Sequence, residues 1–174
     1  MPNRLARRVL TTAAAAGLLV LGGCGEETPP EADPGTDPST TTAQGWRDQD
    51  PCELLTAEET AAYLGGTPGE PARTDDQGRP RCEWEGPERS TVSVLLWQPP
   101  APEIVTDDAK RTITVAGKTA HVTGETSIKC QLDIDATRAY VQLEVRTADT
   151  AEPGRKFCDT VAGTAEKIVE RLGW

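Results

Sequence analysis

Five cysteines, Cys24, Cys52, Cys82, Cys130 and Cys158, constrain this chain more than any other feature. Whether they can cross-link depends on whether the chain leaves the reducing cytoplasm. The N-terminus speaks to that. Residues 1–10, MPNRLARRVL, carry Arg4, Arg7 and Arg8 and no acid, and the apolar stretch TTAAAAGLLVLGG follows. That stretch is about half the roughly 20 residues that a stable membrane span needs. A basic start, a short apolar centre and a small-residue site form the pattern of a secretory signal, expected here over residues 1–23.

The end of that signal, Leu21-Gly22-Gly23-Cys24, resembles the bacterial lipobox: an aliphatic residue, two small residues, then cysteine. The motif predicts lipidation at Cys24. Its thiol takes a diacylglycerol, and cleavage leaves it as the new N-terminus. Small residues before it let a membrane-embedded peptidase reach the backbone, and two acyl chains suffice for stable anchoring. The odd cysteine is then an attachment point, and four thiols remain. Loss of residues 1–23 takes the formal charge from −10 to −13. So acidic a chain is poorly suited to nucleic acid or to an anionic lipid surface. The expected partners are the membrane, through the anchor, and an envelope protein or small ligand.

Residues 24–49 are rich in Pro, Thr, Gly and acids, with Trp46 the only large apolar side chain. Such a segment cannot bury enough apolar surface to offset chain entropy, which predicts a disordered tether. Trp46 stands next to the first ordered-looking motif, in position to dock on it. Residues 50–174 carry alternating apolar patterns and have a normal size for one domain. Phe157 is the only Phe, so the core must be built mostly from Val, Leu, Ile and Ala, with Trp84 and Trp97 as the bulky pieces.

In DPCELLTAEETAAYLGG, Thr56 and Glu59 form a capping box and Gly65-Gly66 a stop, which predicts a short helix. RCEWEG and STVSVLLW read as strands around a turn at Gly86-Pro87. ITVAGKTAHV reads as a hairpin turning at Ala116-Gly117, with Ile113 opposite Val122 and Val115 opposite Ala120. CQLDID and AYVQLEV form a second hairpin. Its inward set is Cys130, Leu132 and Ile134 against Ala139, Val141, Leu143 and Val145. Its outward set includes Asp133, Asp135, Tyr140 and Gln142. Finally Phe157, Val161, Ala165, Ile168 and Leu172 make one apolar stripe of a helix running from about Gly154 to Leu172. The expected fold class is α+β: an antiparallel sheet with a short N-terminal helix and a C-terminal helix packed on one face, a two-layer sandwich.

Cys130 faces inward, and Cys158 opens the helix that packs on that face, so Cys130–Cys158 is the natural pair and Cys52–Cys82 is left. Each disulfide closes a loop of about 30 residues, worth about 3 kcal/mol in the chain-entropy model. Zinc would favour a close C-x-x-C pair, which the spacings lack, so no metal is expected.

These landmarks, DPCELLTAEETAAYLG, RCEW, the VSV strand, the VAGKTA hairpin, Cys130 and Cys158 with a C-terminal helix, resemble the actinobacterial lipoproteins called domain of unknown function 3558. The resemblance spans residues 50 to about 172. It implies an envelope lipoprotein, brings no reaction or catalytic residues with it, and matches the family's usual cysteines at Cys52, Cys82, Cys130 and Cys158.

Chemical motifs are sparse. Gly117-Lys118-Thr119 looks like the tail of a P-loop, but position 112 is Thr where a P-loop needs Gly. His121, the only histidine, is expected on the outward face opposite Thr114, away from any nucleophile. Asp133 and Asp135 share a face, as glycosidase carboxylates can, although a half-buried sheet predicts that this face is solvated. Glu83 and Glu85, flanking Trp84, read as surface. Trp97 shares the outer face with Leu95 beside the Pro-rich loop QPPAPEIVTDD. The two form a candidate partner patch, unless the loop covers them. The sequence therefore predicts a binding or accessory module without catalysis or cofactor. An envelope hydrolase using Asp133 and Asp135, or a purely structural lipoprotein, are the alternatives.

Overall fold

The computed structural model describes residues 45–99, 102–150 and 154–173, so the expected signal peptide, Cys24 and nearly all of the tether lie outside the described residues. Asp50 opens a short 3-10 turn, Pro51–Glu53, by accepting the Cys52 amide at 2.9 Å. Helix α1, Ala57–Leu64, begins at the expected capping box. Thr56 Oγ1 accepts the Glu59 amide at 3.3 Å, and Glu59 Oε2 accepts the Thr56 amide at 2.8 Å. The helix ends at Gly65, whose φ of 70° suits a residue without Cβ.

Strands β1 (Ala72–Asp75), β2 (Pro80–Glu85) and β3 (Thr91–Trp97) come next, then helix α2 (Glu103–Asp108). Strands β4 (Arg111–Val115), β5 (Lys118–Glu125), β6 (Lys129–Asp135) and β7 (Tyr140–Arg146) lead to helix α3 (Phe157–Leu172). The strands form one sheet in the order β1-β2-β3-β7-β6-β5-β4, antiparallel at each pairing. The fold is α+β. Strand β1 and helix α2 had no sequence signal: β1 is ARTD, exposed at every position, and α2 has six residues.

The β4–β5 hairpin differs from expectation by two residues. Ile113 pairs with Ala120 and Arg111 with Val122. Ala116 and Gly117 both take positive φ, 46° and 74°, which closes a two-residue turn and sets the tighter register. A shift of two keeps the parity, so the apolar face is unchanged.

The inward face carries Val92, Val94, Leu96, Val122, Leu132, Ile134, Val141, Leu143 and Val145, all buried in one cluster. The α3 stripe Phe157, Val161, Ala165, Ile168 and Leu172 joins the same cluster, and α3 contacts β4, β5 and β6. Helix α1 contacts β3 and β7, and Tyr63 Oη lies 2.7 Å from Thr164 Oγ1 of α3. Trp46 is buried in this core, so the packed region reaches back ahead of Asp50. Disulfides join Cys52 to Cys82 and Cys130 to Cys158, the pairing reasoned from the sequence. Helix α3 starts at Phe157, later than expected, and Lys156 gives no side-chain cap. Glu125 of β5 supplies one, its Oε1 accepting the Cys158 amide at 2.9 Å. Among the described residues, no helix is long and apolar enough to cross a membrane.

Candidate functional site

The cross-strand register sets the outer face in rows. One row runs Arg81, Leu95, Gln142, Asp133, His121, Thr112 across six strands. In the next, Trp97 faces Tyr140, and Tyr140 faces Asp135. Alternation predicts such a face to be solvated, but its centre is dry. Leu95, Asp133 and Tyr140 are buried, at 6%, 0% and 0% exposure. The expectation of a solvated Asp133 is therefore wrong. The expected His121 position also changes: it lies opposite Thr112, is half-buried, and has Asp133 on its other side.

What shields this face comes from segments the strand pattern did not reveal. Gln77-Gly78 closes the β1–β2 hairpin with positive φ at both residues. Arg79 follows, fixed by Asp76 through Nη2–Oδ2 at 2.6 Å and by the Asp76 carbonyl at 2.7 Å. Its guanidinium lies 4.3 Å from the Trp97 ring centroid, a cation–π contact. Tyr140 meets Trp97 edge-on, with ring centroids 5.9 Å apart. Helix α2 contacts β5. Leu95 is thus buried and Trp97 half-buried, and the two do not make an open patch by themselves.

Asp133 is a buried carboxylate satisfied by neutral donors. Gln142 Nε2 donates to Oδ1 at 2.9 Å and Gln131 Nε2 to Oδ2 at 3.2 Å, while Thr123 Oγ1 also donates to Oδ2. The β-bulge between Val122 and Gly124 lies at Thr123. Burial, and then the nearby Asp133 and Asp135 carboxylates, push the Tyr140 phenol well above its ordinary pKa, so it stays protonated. Among the described residues on this face, Trp97 Nε1 and His121 Nδ1 are shielded and make no hydrogen bond, while Tyr140 Oη has only the adjacent Asp133 carboxylate to donate to. Buried polar groups are overwhelmingly paired, so unpaired ones on β3 and β5 of the same face mark it out.

Beside them lies an open groove of about 690 Å³, lined by Pro99, Gly117, Lys118, Thr119, His121, Asp135 and Thr137. Two turns build it. Gly117 closes the β4–β5 hairpin, and Thr137, with φ 73°, lies in the β6–β7 turn. Lys118 Nζ donates to Thr137 Oγ1 at 3.0 Å, and Asp135 Oδ1 accepts the Thr137 amide at 3.0 Å. The structure thus brings His121 and Asp135 to one groove and keeps Asp133 out of it. Glu83 pairs with Arg81, and Glu85 is exposed, as a surface reading expects. Sequence reasoning missed Arg79, Lys118, Thr119 and Thr137 as site residues. The usable signal was Tyr140 and Gln142 sharing parity with two acids, an aromatic and an amide where only solvated charge was expected.

The family described as Protein of unknown function (DUF3558) matches residues 19–171. No curated protein and no solved structure matches the chain. With nearly the whole sequence inside the match, the chain belongs to the DUF3558 family.

Proposed function

We propose that this protein is a membrane-anchored extracytoplasmic lipoprotein whose domain is a non-catalytic binding or accessory module of the cell envelope. Residues 1–23 are its signal peptide, Cys24 its lipidation site, residues 24–49 its tether, and residues 50–174 its domain, a two-layer sandwich of sheet and helices. The lipobox Leu21-Gly22-Gly23-Cys24 lies within the family match. Two disulfides suit an oxidising compartment.

The observation that carries the binding reading is the outer-face groove, lined by a histidine, His121, whose Nδ1 has no partner. Few convergent polar groups beside a concavity are the usual form of a ligand site. A two-carboxylate hydrolase is less well supported, because Asp133 is shielded from solvent and engaged in three hydrogen bonds.

Two measurements test the reading. Alkyne-palmitate labelling should mark the wild-type chain and be lost in Cys24→Ala. Carbethoxylation of His121, the only histidine, should be slower in intact cells than in purified protein if the groove is occupied. Equal rates would remove the binding module.

A further inference from the structure

We propose that the groove at the β4–β5 and β6–β7 turns takes a neutral, hydroxyl-rich ligand, a saccharide unit; this deepens the binding-module reading and rests on it. The first argument is size. About 690 Å³ falls within the range of small-molecule sites and has room for one or two sugar rings.

The second argument is charge. Among the described residues the lining holds one cation, Lys118, and one anion, Asp135, with His121 beside them. A phosphate or carboxylate ligand would face Asp135, and an ammonium ligand would face Lys118. The chain as a whole carries −10, which further repels anionic polymers and headgroups. A ligand without net charge meets neither penalty.

The third argument is hydrogen-bond chemistry. Thr119 and Thr137 hydroxyls donate and accept, Lys118 donates, Asp135 accepts, and the His121 ring can do either. A row of mixed donors and acceptors complements vicinal sugar hydroxyls, which also do both. Five of the seven lining residues are polar, and their aliphatic parts together with Pro99 and Gly117 leave apolar surface for the C–H face of a sugar ring. His121 lines the groove while its Nδ1 lacks a partner. A flip of the His121 ring that turns its unpaired nitrogen toward the groove lets a ligand hydroxyl, directly or through a bridging water, pair with it.

The test uses the full chain in detergent with labelled histidine, so that His121 alone reports. Neutral hexose, pentose and N-acetylhexosamine di- to tetrasaccharides are titrated to their solubility limits, with uronate oligosaccharides in parallel. A saturable shift of the His121 imidazole signals with a neutral sugar supports the proposal. Thr119→Val and Asp135→Asn should each weaken that binding at least about fivefold, while Glu58→Gln, on the exposed side of helix α1, should leave it unchanged. Shifts with uronates alone overturn the neutral-ligand assignment and leave the binding module standing. No shift with any sugar, while His121 stays protected in cells, likewise overturns the saccharide alone. No shift, together with unprotected His121 in cells, overturns both.

Discussion

Glu59 grips Arg171 across 112 residues of sequence, with Arg171 Nη1 2.6 Å from Oε2 and Nη2 2.9 Å from Oε1. The same carboxylate caps helix α1, and Lys167 Nζ lies 3.2 Å away. Arg171, with the Thr56 amide and Lys167, outweighs desolvation and holds the Glu59 pKa at about 2, down from 4.5. A depressed acid gives stability that is full above its unfolded pKa and is lost as pH falls through the folded one. The window is therefore from 4.5 down to about 2, and solvent screening of this partly exposed pair holds its contribution to about 1–2 kcal/mol. In urea unfolding, the stability gap between wild type and Glu59→Gln should be widest near neutrality and close below that window. A gap independent of pH would contradict the assignment.

Glu125 ties the sheet to helix α3. It accepts the Cys158 amide and pairs with Arg111, whose Nη2 also lies 2.7 Å from Asp159 Oδ1. Arg111 is the main reason that the Glu125 carboxyl titrates below its ordinary value. Glu125→Ala should cost about 2 kcal/mol, combining a lost cap with a lost charged hydrogen bond. Glu125→Gln, which keeps an acceptor, should cost less. Amide exchange at Cys158 should quicken in both, and unchanged exchange would show that the cap is unimportant.

Two glycines should respond with opposite sign. A Cβ on Gly86 would meet Leu64 O at 2.7 Å and Ser90 Oγ at 2.6 Å, whereas one on Gly163 would meet nothing within 4 Å. Gly86→Ala should destabilise by about 1–3 kcal/mol, because the end of α1 must move. Gly163→Ala, inside helix α3, should stabilise by up to about 1 kcal/mol. Melting temperatures of the two variants decide it.

Asp133→Ala would leave Thr123, Gln131 and Gln142 without their acceptor in a buried setting. The expected loss is about 2–4 kcal/mol. A loss under about 0.5 kcal/mol, the usual size for a surface change, would mean that water reaches Asp133.

Removing the Cys130–Cys158 link by a double Ala substitution releases a loop constrained across a separation of 28 residues. The expected cost is about 3–4 kcal/mol on the chain-entropy model. Non-reducing and reducing unfolding curves of the wild type should bracket the variant.

The elements legible in advance were those whose signals are local. The Thr56–Glu59 box fixed the start of α1, parity fixed the inward faces of β6 and β7, and the stripe of α3 fixed its packing side. Inward Cys130 and helix-borne Cys158 were enough to pair the thiols. Capping, alternation and helical period are short-range regularities, and the sequence by itself determined these.

Tertiary structure decided the rest. Parity says which side Asp133 is on, and it cannot say whether that side is wet. Arg79 reaches Trp97 only because an unpatterned strand, β1, joins the edge of the sheet through its turn with β2. Tyr140 is dry because residues from β3 and β6 close around it. The groove exists only where two turns, 20 residues apart in sequence, come to the same end of the sheet. Contacts between segments without periodic signals depend on chain reversal and strand order, which no local pattern encodes.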